Sequence, residues 1–315
     1  MTLQPVPSFG PLGAPVPSGL HPQTPVVVDL GGLAVRRLLP RRQRRLVGPW
    51  CFFDLFGPLQ FAAGKPLDVP PHPHIGLQTV TWLLEGEALH NDSLGSQATA
   101  VPGALNLMTS GRGIAHAEET PPTNSGRLHG VQLWIALPDA QRDGPPAFDH
   151  YASRPVVAAG PGAQATLILG SLLGAHAEGR TFSPLVAAEI ACAAGGEARL
   201  PLDPGFEHAV VPLSGDWRAE GGALDVETLY FLEPGPRELR LSAGAAGRAL
   251  LLGGAPFDQK ILMWWNFVAR TTAEIEAARE DWEHGRRFGP VAAYDGPRLP
   301  APRFTARPVP ANPVS

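Results

Sequence analysis

Short apolar segments separated by glycine and proline turns recur along the whole chain. Four of them, at residues 78–86, 129–137, 165–170 and 227–235, have the length and apolar content of β-strands. Glycine and proline each occur 36 times and bound these segments. Many short strands between such turns are typical of sandwiches and barrels rather than of βαβ units. The pattern therefore predicts an all-β fold.

One helix is predicted near the end of the chain. Thr271 is followed by Glu274 at the spacing of a capping box, and Gly285 is the expected C-cap. Between these positions, three apolar residues fall on one helical face: Ile275, Ala278 and Trp282. We expect this face to pack on a sheet.

A weak internal repeat predicts two tandem β-domains. Each copy has an apolar strand, a turn of glycine with an acid, then a Pro-Gly turn and another strand; the copies end at Gly111 and Gly244. We predict a first domain over 26–150 and a second, which includes the helix, over 151–296. Residues 1–25 and 297–315 are proline-rich tails without a packing pattern.

Composition and charge narrow the possible partners. The chain has 315 residues, 44% of them hydrophobic, which is enough for a sizeable core. Its net charge of −4 argues against nucleic acid as a direct partner. The two cysteines, Cys51 and Cys192, are too few for a disulfide framework. With neither a signal-peptide pattern nor a long apolar run, we expect a cytoplasmic protein without a membrane partner.

Residues 35–45 form a local exception, because they carry six arginines. We interpret this stretch as a solvated strand and loop, since the protein as a whole is acidic. The alternatives are a patch that binds nucleic acid or acts as a nuclear import signal, and a contact surface for an acidic protein partner.

Two segments with the same spacing suggest a metal site. His72 and His74 are two residues apart, as are His116 and Glu118. On an extended chain, such pairs project from one face. Two adjacent segments would therefore bring together three imidazole nitrogens and one carboxylate oxygen, a set that suits Fe, Ni, Cu, Zn or Mn. Four protein ligands leave open positions on an octahedral ion for a reacting molecule.

Other residues are weaker candidates, because ordinary packing explains them equally well. His90 and His129 could hydrogen-bond behind the metal ligands, and one residue of the VQLW stretch, Gln132 or Trp134, could face a pocket. Two apolar residues, Phe53 and Met108, could form the walls of that pocket.

With these motifs, the chain resembles the pirin family of the cupin superfamily. The resemblance rests on HPHIGLQTVTWLLEG from His72 and MTSGRGIAHAEE from Met108, and the similarity extends over roughly residues 30–290. It implies two tandem jelly-roll cupin barrels with a C-terminal helix. It also implies one metal in the first barrel, most often Fe(II), bound by four residues: His72, His74, His116 and Glu118.

The second barrel lacks a matching motif. Only His208 lies near the place of the first histidine pair, and no H-x-E follows. We therefore expect a second barrel without metal, filled with side chains, in which His208 is a core or rim residue. Ile75 stands where some pirins carry arginine, so the electrostatics there are expected to differ.

Three functions remain open at this point. The resemblance implies an oxygenase that opens the flavonol quercetin with O2, in which Glu118 is both a ligand and a proton acceptor. The alternative is a regulatory protein without turnover, in which the redox state of the metal alters binding to a protein partner. A third possibility is an isomerase or another non-redox cupin enzyme with Zn or Mn. We favour the oxygenase.

Overall fold

The computed structural model describes residues 19–30, 32–62, 64–303 and 309–310. Within these ranges most elements are strands, and the helix is α1, Thr272–Glu283. The strands are β1 His21–Gln23, β2 Val26–Leu30, β3 Leu33–Leu39, β4 Trp50–Gln60, β5 Asp68–His74, β6 Leu77–Gly86, β7 Ala88–Asp92, β8 Gln97–Ala100, β9 Leu105–Thr109, β10 Ile114–Glu119, β11 Arg127–Ala136, β12 Ala147–Tyr151, β13 Val156–Gly160, β14 Ala163–Leu172, β15 Ala175–Ala177, β16 Leu185–Cys192, β17 Glu197–Pro201, β18 Glu207–Ala219, β19 Gly222–Leu224, β20 Leu229–Leu232, β21 Glu238–Gly254, β22 Leu262–Trp264, β23 Phe267–Ala269 and β24 Val309–Pro310. The expected all-β architecture with a C-terminal helix is confirmed.

Two antiparallel sheets form the first barrel. The larger has the strand order β12-β9-β6-β11-β4-β3-β2, and the smaller has the order β5-β10-β7-β8. Non-consecutive strands are neighbours in both, as in a jelly roll. The inner faces of the two sheets enclose the cavity described below.

The second barrel is built from a ten-stranded sheet whose main path is β1-β20-β18-β21-β16-β14-β13. One face of this sheet carries a continuous apolar core that includes Trp217 and Tyr230, both almost completely buried. This barrel is filled with side chains, as its sequence led us to expect.

The two barrels share a second apolar core. Alternate residues of the first barrel's large sheet, such as Trp82 and Leu133, point away from its cavity and pack with Val211 and Leu252 of the second. Burying each large apolar side chain contributes about 1.5–3 kcal/mol. Trp82 also donates its Nε1 hydrogen to Glu189 Oε2 at 2.8 Å. We infer that the barrels are stable as one unit.

After the second barrel, the chain returns to the first. The Val268 amide donates to the Ile75 carbonyl at 3.0 Å, and the apolar face of α1 packs on Ala115 and Ala117 of β10. Gly76 permits this approach: its φ is +69°, and a Cβ there would lie 2.0 Å from the Val268 carbonyl oxygen. The helix therefore covers a sheet, as expected, but it is the small sheet of the first barrel.

The predicted tails are partly structured. In the segment assigned to 1–25, β1 pairs with β20 of the second barrel, and Leu20 is buried in its core. In the segment assigned to 297–315, the Leu299 amide donates to the Pro71 carbonyl at 2.9 Å. The prolines predicted loops in both stretches, but Leu20 is buried in the second barrel and Leu299 is hydrogen-bonded to the first. Residues 1–18 lie outside the described residues, and the boundary near 150 stays a prediction.

The arginine-rich stretch is engaged within the protein. Arg36 pairs with Glu227 at 2.8 Å, and Arg44 pairs with Glu233 at 2.9 Å. The expected strand and loop is observed, and in addition these two side chains pair with acids of the second barrel. No helix among the described residues has the length and apolarity needed to cross a membrane.

Candidate metal centre

Strands β5 and β10 place three histidines on one face. The strands are antiparallel neighbours, with His116 opposite His72 and Ile114 opposite His74. Because opposite residues share a face and strands alternate with period two, all three imidazoles project to the same side. One ring nitrogen from each lies within 4.8 Å of the other two. The three histidines that the sequence spacing placed on one face thus lie together in the structure.

Outer hydrogen bonds orient two of the rings. Nδ1 of His72 lies 2.9 Å from the Pro70 carbonyl oxygen, and Nδ1 of His74 lies 3.1 Å from that of Asn266. A carbonyl can only accept, so each Nδ1 carries the hydrogen and each Nε2 keeps a free lone pair.

A chain of two further residues orients the third ring. Nδ1 of His116 lies 3.3 Å from Nδ1 of His90, whose Nε2 lies 3.2 Å from Asp92 Oδ2. The carboxylate accepts from His90 Nε2, so Nδ1 of a neutral His90 accepts from His116 and leaves the lone pair of His116 on Nε2. Asp92 is held in turn by the amides of Leu94 and Ser96, both at 2.9 Å.

The three rings fit a divalent transition metal. Nε2 of His74 and Nε2 of His116 are 3.0 Å apart, and two nitrogens at right angles about one ion, each about 2.1 Å away, would be separated by roughly the same distance. Burial lowers the pKa of His72 to about 4 and holds those of His74 and His116 well below their usual range. All three are therefore neutral near pH 7, as metal ligands must be.

Glu118 faces the same cavity but does not belong to the cluster of the three histidine nitrogens. The pairing of β10 with β5 shifts between His116 and Glu118, where β5 contains one extra residue. Thr81 Oγ1 lies 3.2 Å from Glu118 Oε1, and Gln132 Nε2 lies 3.3 Å from the same oxygen. Burial raises the pKa of Glu118, while the hydrogen bonds with Thr81 and Gln132 act in the opposite direction. Its role as a fourth ligand stays a prediction.

A cavity of about 520 Å³ lies in front of the histidines. Its main aromatic wall consists of Phe52 and Trp134, stacked with their centroids 4.0 Å apart, and Trp134 meets His74 edge-on at 5.3 Å. Gln132 and Trp134 both line the cavity, whereas the sequence reasoning expected only one of them to do so. Trp265, from the turn between β22 and β23, closes it from the C-terminal segment.

The other candidates lie elsewhere in the described structure. Phe53 belongs to the core shared by the barrels, Met108 is buried but not on the cavity wall, and Ile75 packs beneath the helix. His129 has Arg36 among its charged neighbours. His208 is buried in the second barrel, where its ring lies 6.0 Å from that of Phe206.

Sequence reasoning missed several residues of the site. Asp92 repeats the two-residue spacing after His90, and Asp54 is a lone acid within the apolar run WCFFDLF. These two could have been found by their patterns, because a charge in an apolar strand requires a partner. Asn266 could not, since only its backbone carbonyl acts and it lies 192 residues from His74.

Two tandem cupin barrels, with a histidine cluster in the first, define the chain as a bicupin. The family model of Pirin matches residues 32–135, and that of the Pirin C-terminal cupin domain matches 187–289. The chain belongs to the pirin family.

Relatives known from sequence and from solved structures support this family assignment. A Pseudomonas aeruginosa protein named "Putative quercetin 2,3-dioxygenase PA1205" is 49% identical over 273 residues, which cover 86% of each chain. A pirin-like protein of Caulobacter vibrioides is 38% identical over 82% of this chain and 91% of its own. The crystal structure of quercetin 2,3-dioxygenase from Acinetobacter baumannii superposes with a TM-score of 0.89 at 40% identity, over 93% of this chain and 98% of that one.

Proposed function

We propose that this protein is a metal-dependent dioxygenase that opens the heterocyclic ring of a flavonol such as quercetin with O2. His72, His74 and His116 would hold one divalent transition metal, most suitably Fe(II), with Glu118 as the fourth ligand. The observation that carries the proposal is the convergence of three neutral imidazoles, two of which line a cavity with a stacked aromatic wall. The names of the relatives support the substrate class.

When bound, the metal supplies a Lewis-acid site at which a deprotonated substrate hydroxyl and oxygen can meet. Glu118 is suited to accept the hydroxyl proton, since burial raises its pKa and a stronger base results. Gln132, whose amide oxygen accepts from the Thr81 hydroxyl at 2.8 Å, donates to the receiving carboxylate. Phe52 and Trp134 offer flat faces on which the aromatic rings of a flavonol can stack.

The chain would also exclude water from the cavity. Trp265 and Leu299 cover the cavity from the C-terminal segment. Water exclusion strengthens the electrostatic interactions inside and protects reactive species from side reactions. Both cysteines, Cys51 and Cys192, are free and buried, and we therefore propose that the protein works in the reducing cytoplasm.

The test begins with anaerobic purification, metal analysis and measurement of oxygen uptake with quercetin. We expect about one metal per chain and flavonol-dependent uptake in the wild type. His116→Ala should abolish both, because removing one of three imidazoles weakens binding and disturbs the geometry. The matched control His176→Ala removes an exposed histidine of the second barrel and should retain both.

Two other outcomes would redirect the assignment. Bound metal without oxygen uptake would favour the redox-dependent regulatory protein, which is then tested by metal-dependent capture of partners. The absence of metal from every preparation would overturn the ligand set itself.

A further inference from the structure

An ion pair lies in the cavity wall away from the histidines. Arg37 donates from Nε to Asp54 Oδ1 at 2.8 Å and from Nη2 to Oδ2 at 2.7 Å. Both residues line the cavity, and Arg37 is the permanent cation among its described lining residues. Asp54 is 2% exposed, so its charge is compensated by Arg37.

The bidentate contact leaves part of the guanidinium available. Asp54 occupies the edge formed by Nε and Nη2, whereas the opposite edge, with one hydrogen on Nη2 and one on Nη1, is a second fork. The Arg37 guanidinium carbon lies 4.5 Å from the centroid of Phe52. Held by a carboxylate on one edge and a ring on one face, the group is oriented before any ligand arrives.

The position of Arg37 sets the length of a ligand that can reach both ends of the cavity. Arg37 lies opposite Asp54, Asp54 opposite Gln132, and Gln132 opposite Thr81. These four polar residues form one row across four neighbouring strands. The backbones of Arg37 and of Gln132, which contacts Glu118, are two strand spacings apart, or about 10 Å. A fused-ring aromatic molecule with a substituent at each end covers that span.

Apolar side chains border the row on both sides. Phe52 and Trp134 lie on one side, and Val35 and Phe56 lie on the other. The cavity wall is thus a polar track between apolar surfaces, which suits a flat ring system with polar groups along its long axis. Asp68 also lines the cavity, but it is exposed and accepts a hydrogen bond from the Tyr294 hydroxyl at 2.8 Å.

We propose that Arg37 is the second anchor of the substrate, and that the cavity selects planar aromatic molecules carrying a carboxylate or phenolate at the end remote from the histidines. The free fork of Arg37 would bind this oxygen, while a hydroxyl at the other end lies at the metal centre. The inference rests on the proposed function, since it takes the histidine end as the reacting end.

Calorimetric titration of the anaerobic, metal-loaded protein at pH 8 tests the anchor without turnover. Three probes are compared: 6-hydroxy-2-naphthoate has the carboxylate, 2,6-dihydroxynaphthalene has a phenol in its place, and 2-naphthol has neither. Because a hydrogen-bonded charge pair is worth roughly one to two powers of ten in affinity, we expect the carboxylate probe to bind about 10- to 100-fold more tightly than 2-naphthol. An intermediate affinity of the dihydroxy probe would identify phenolic oxygens as ligands; an affinity equal to that of 2-naphthol would restrict the class to carboxylates.

Arg37→Met removes the charge while keeping most of the length of the side chain. It should remove the preference for the carboxylate probe and leave the affinity for 2-naphthol within about twofold. The control Arg42→Met makes the same substitution at an exposed site and should bind like the wild type. If the buried Asp54 unfolds the single variant, Arg37→Met/Asp54→Leu replaces the pair with apolar residues, an exchange that buried ion pairs commonly tolerate.

The idea is overturned if no probe binds the wild type, if the three probes bind equally, or if Arg37→Met weakens all of them alike. Its failure is distinguishable from that of the dioxygenase assignment. Charge-dependent binding without oxygen uptake keeps the anchor and removes the activity. Oxygen uptake by Arg37→Met with unchanged substrate affinity keeps the dioxygenase activity and removes the anchor.

Discussion

At the scale of single residues, hydrogen bonds behind the three histidines decide how the candidate metal site works. His72 and His74 are oriented by carbonyl oxygens, whereas His116 is oriented by His90 and, through it, by Asp92. Such outer partners fix the tautomer and increase the basicity of a ligating imidazole. His90 also stacks on Phe148 at 4.2 Å, which restricts rotation of its ring.

His90→Phe should therefore weaken metal binding by about 10- to 100-fold, because the ring stays stacked but no longer accepts from His116 Nδ1. The measurement is a competition titration with a chelator that has an absorbance signal, on protein stripped of metal. His176→Phe is the control, since that histidine is exposed in the second barrel. Unchanged affinity in His90→Phe would show that His116 is oriented by its packing alone.

His208 leads to a prediction about pH. Burial lowers its pKa to about 4, while an unfolded histidine has a pKa near 6.5. Between these values the unfolded chain binds the proton and the folded chain does not, so the free energy of unfolding is greatest above pH 6.5 and falls as the pH drops towards 4. Asp203 and the Phe206 backbone act in the opposite direction, but burial outweighs them.

Urea unfolding at pH 7.5 and pH 5 measures this contribution. His208→Gln should lose less stability than the wild type on acidification, by about 2 kcal/mol. His176→Gln should behave like the wild type. Parallel stability losses in wild type and His208→Gln would mean that His208 is protonated in the folded protein.

The residue scale also shows the limits of the sequence. The period of a strand was sufficient to bring His72, His74 and His116 together, because their spacing decides the face they share. No such rule gives the pairing of Arg37 with Asp54, which depends on the register between two strands.

At the scale of elements, α1 was the easiest to predict. Thr271 is the N-cap and its side chain accepts from the Glu274 amide at 3.2 Å, as the capping-box spacing indicated. At the other end, the C-cap is His284, and Gly285 follows with a φ of +68°. The prediction placed the cap one residue late, because glycine takes the left-handed position just after the cap.

Thr271→Ala should destabilise the protein by about 1 kcal/mol, since the first turn loses a hydrogen-bond acceptor. This corresponds to a decrease of roughly 2 °C in the Tm of a protein of this size, measurable by calorimetry. Thr272→Ala alters the neighbouring exposed residue, inside the helix, and should cost nothing. An equal Tm for Thr271→Ala and the wild type would indicate that water replaces the cap.

Strand positions were predictable and strand partners were not. The predicted strand at 78–86 is observed as β6, Leu77–Gly86, and that at 129–137 as β11, Arg127–Ala136. The apolar pattern reports burial of each strand, but it does not tell which sheet buries it. Trp82 and Leu133 lie in predicted apolar strands, and only the structure shows that they belong to a core shared by both barrels.

At the scale of the whole molecule, the two barrels are joined at several places among the described residues. They share the apolar core between their sheets, the N-terminal β1 joins the second barrel, and the C-terminal segment returns to the first. The tandem arrangement could be inferred from the weak repeat. The contacts made by β1 and by the C-terminal segment could not be inferred, because proline-rich stretches carry little periodicity that indicates a partner.

The carbonyl of Asn266 that orients His74 has a consequence for the order of events during protein synthesis. His74 leaves the ribosome long before Asn266, and the first barrel can begin to fold while the second is still being made. Until Asn266 emerges, the His74 ring lacks this hydrogen bond and is held only by packing against neighbours such as Trp134. We therefore expect a ribosome-bound fragment of the first barrel to bind metal more weakly than the full-length protein does.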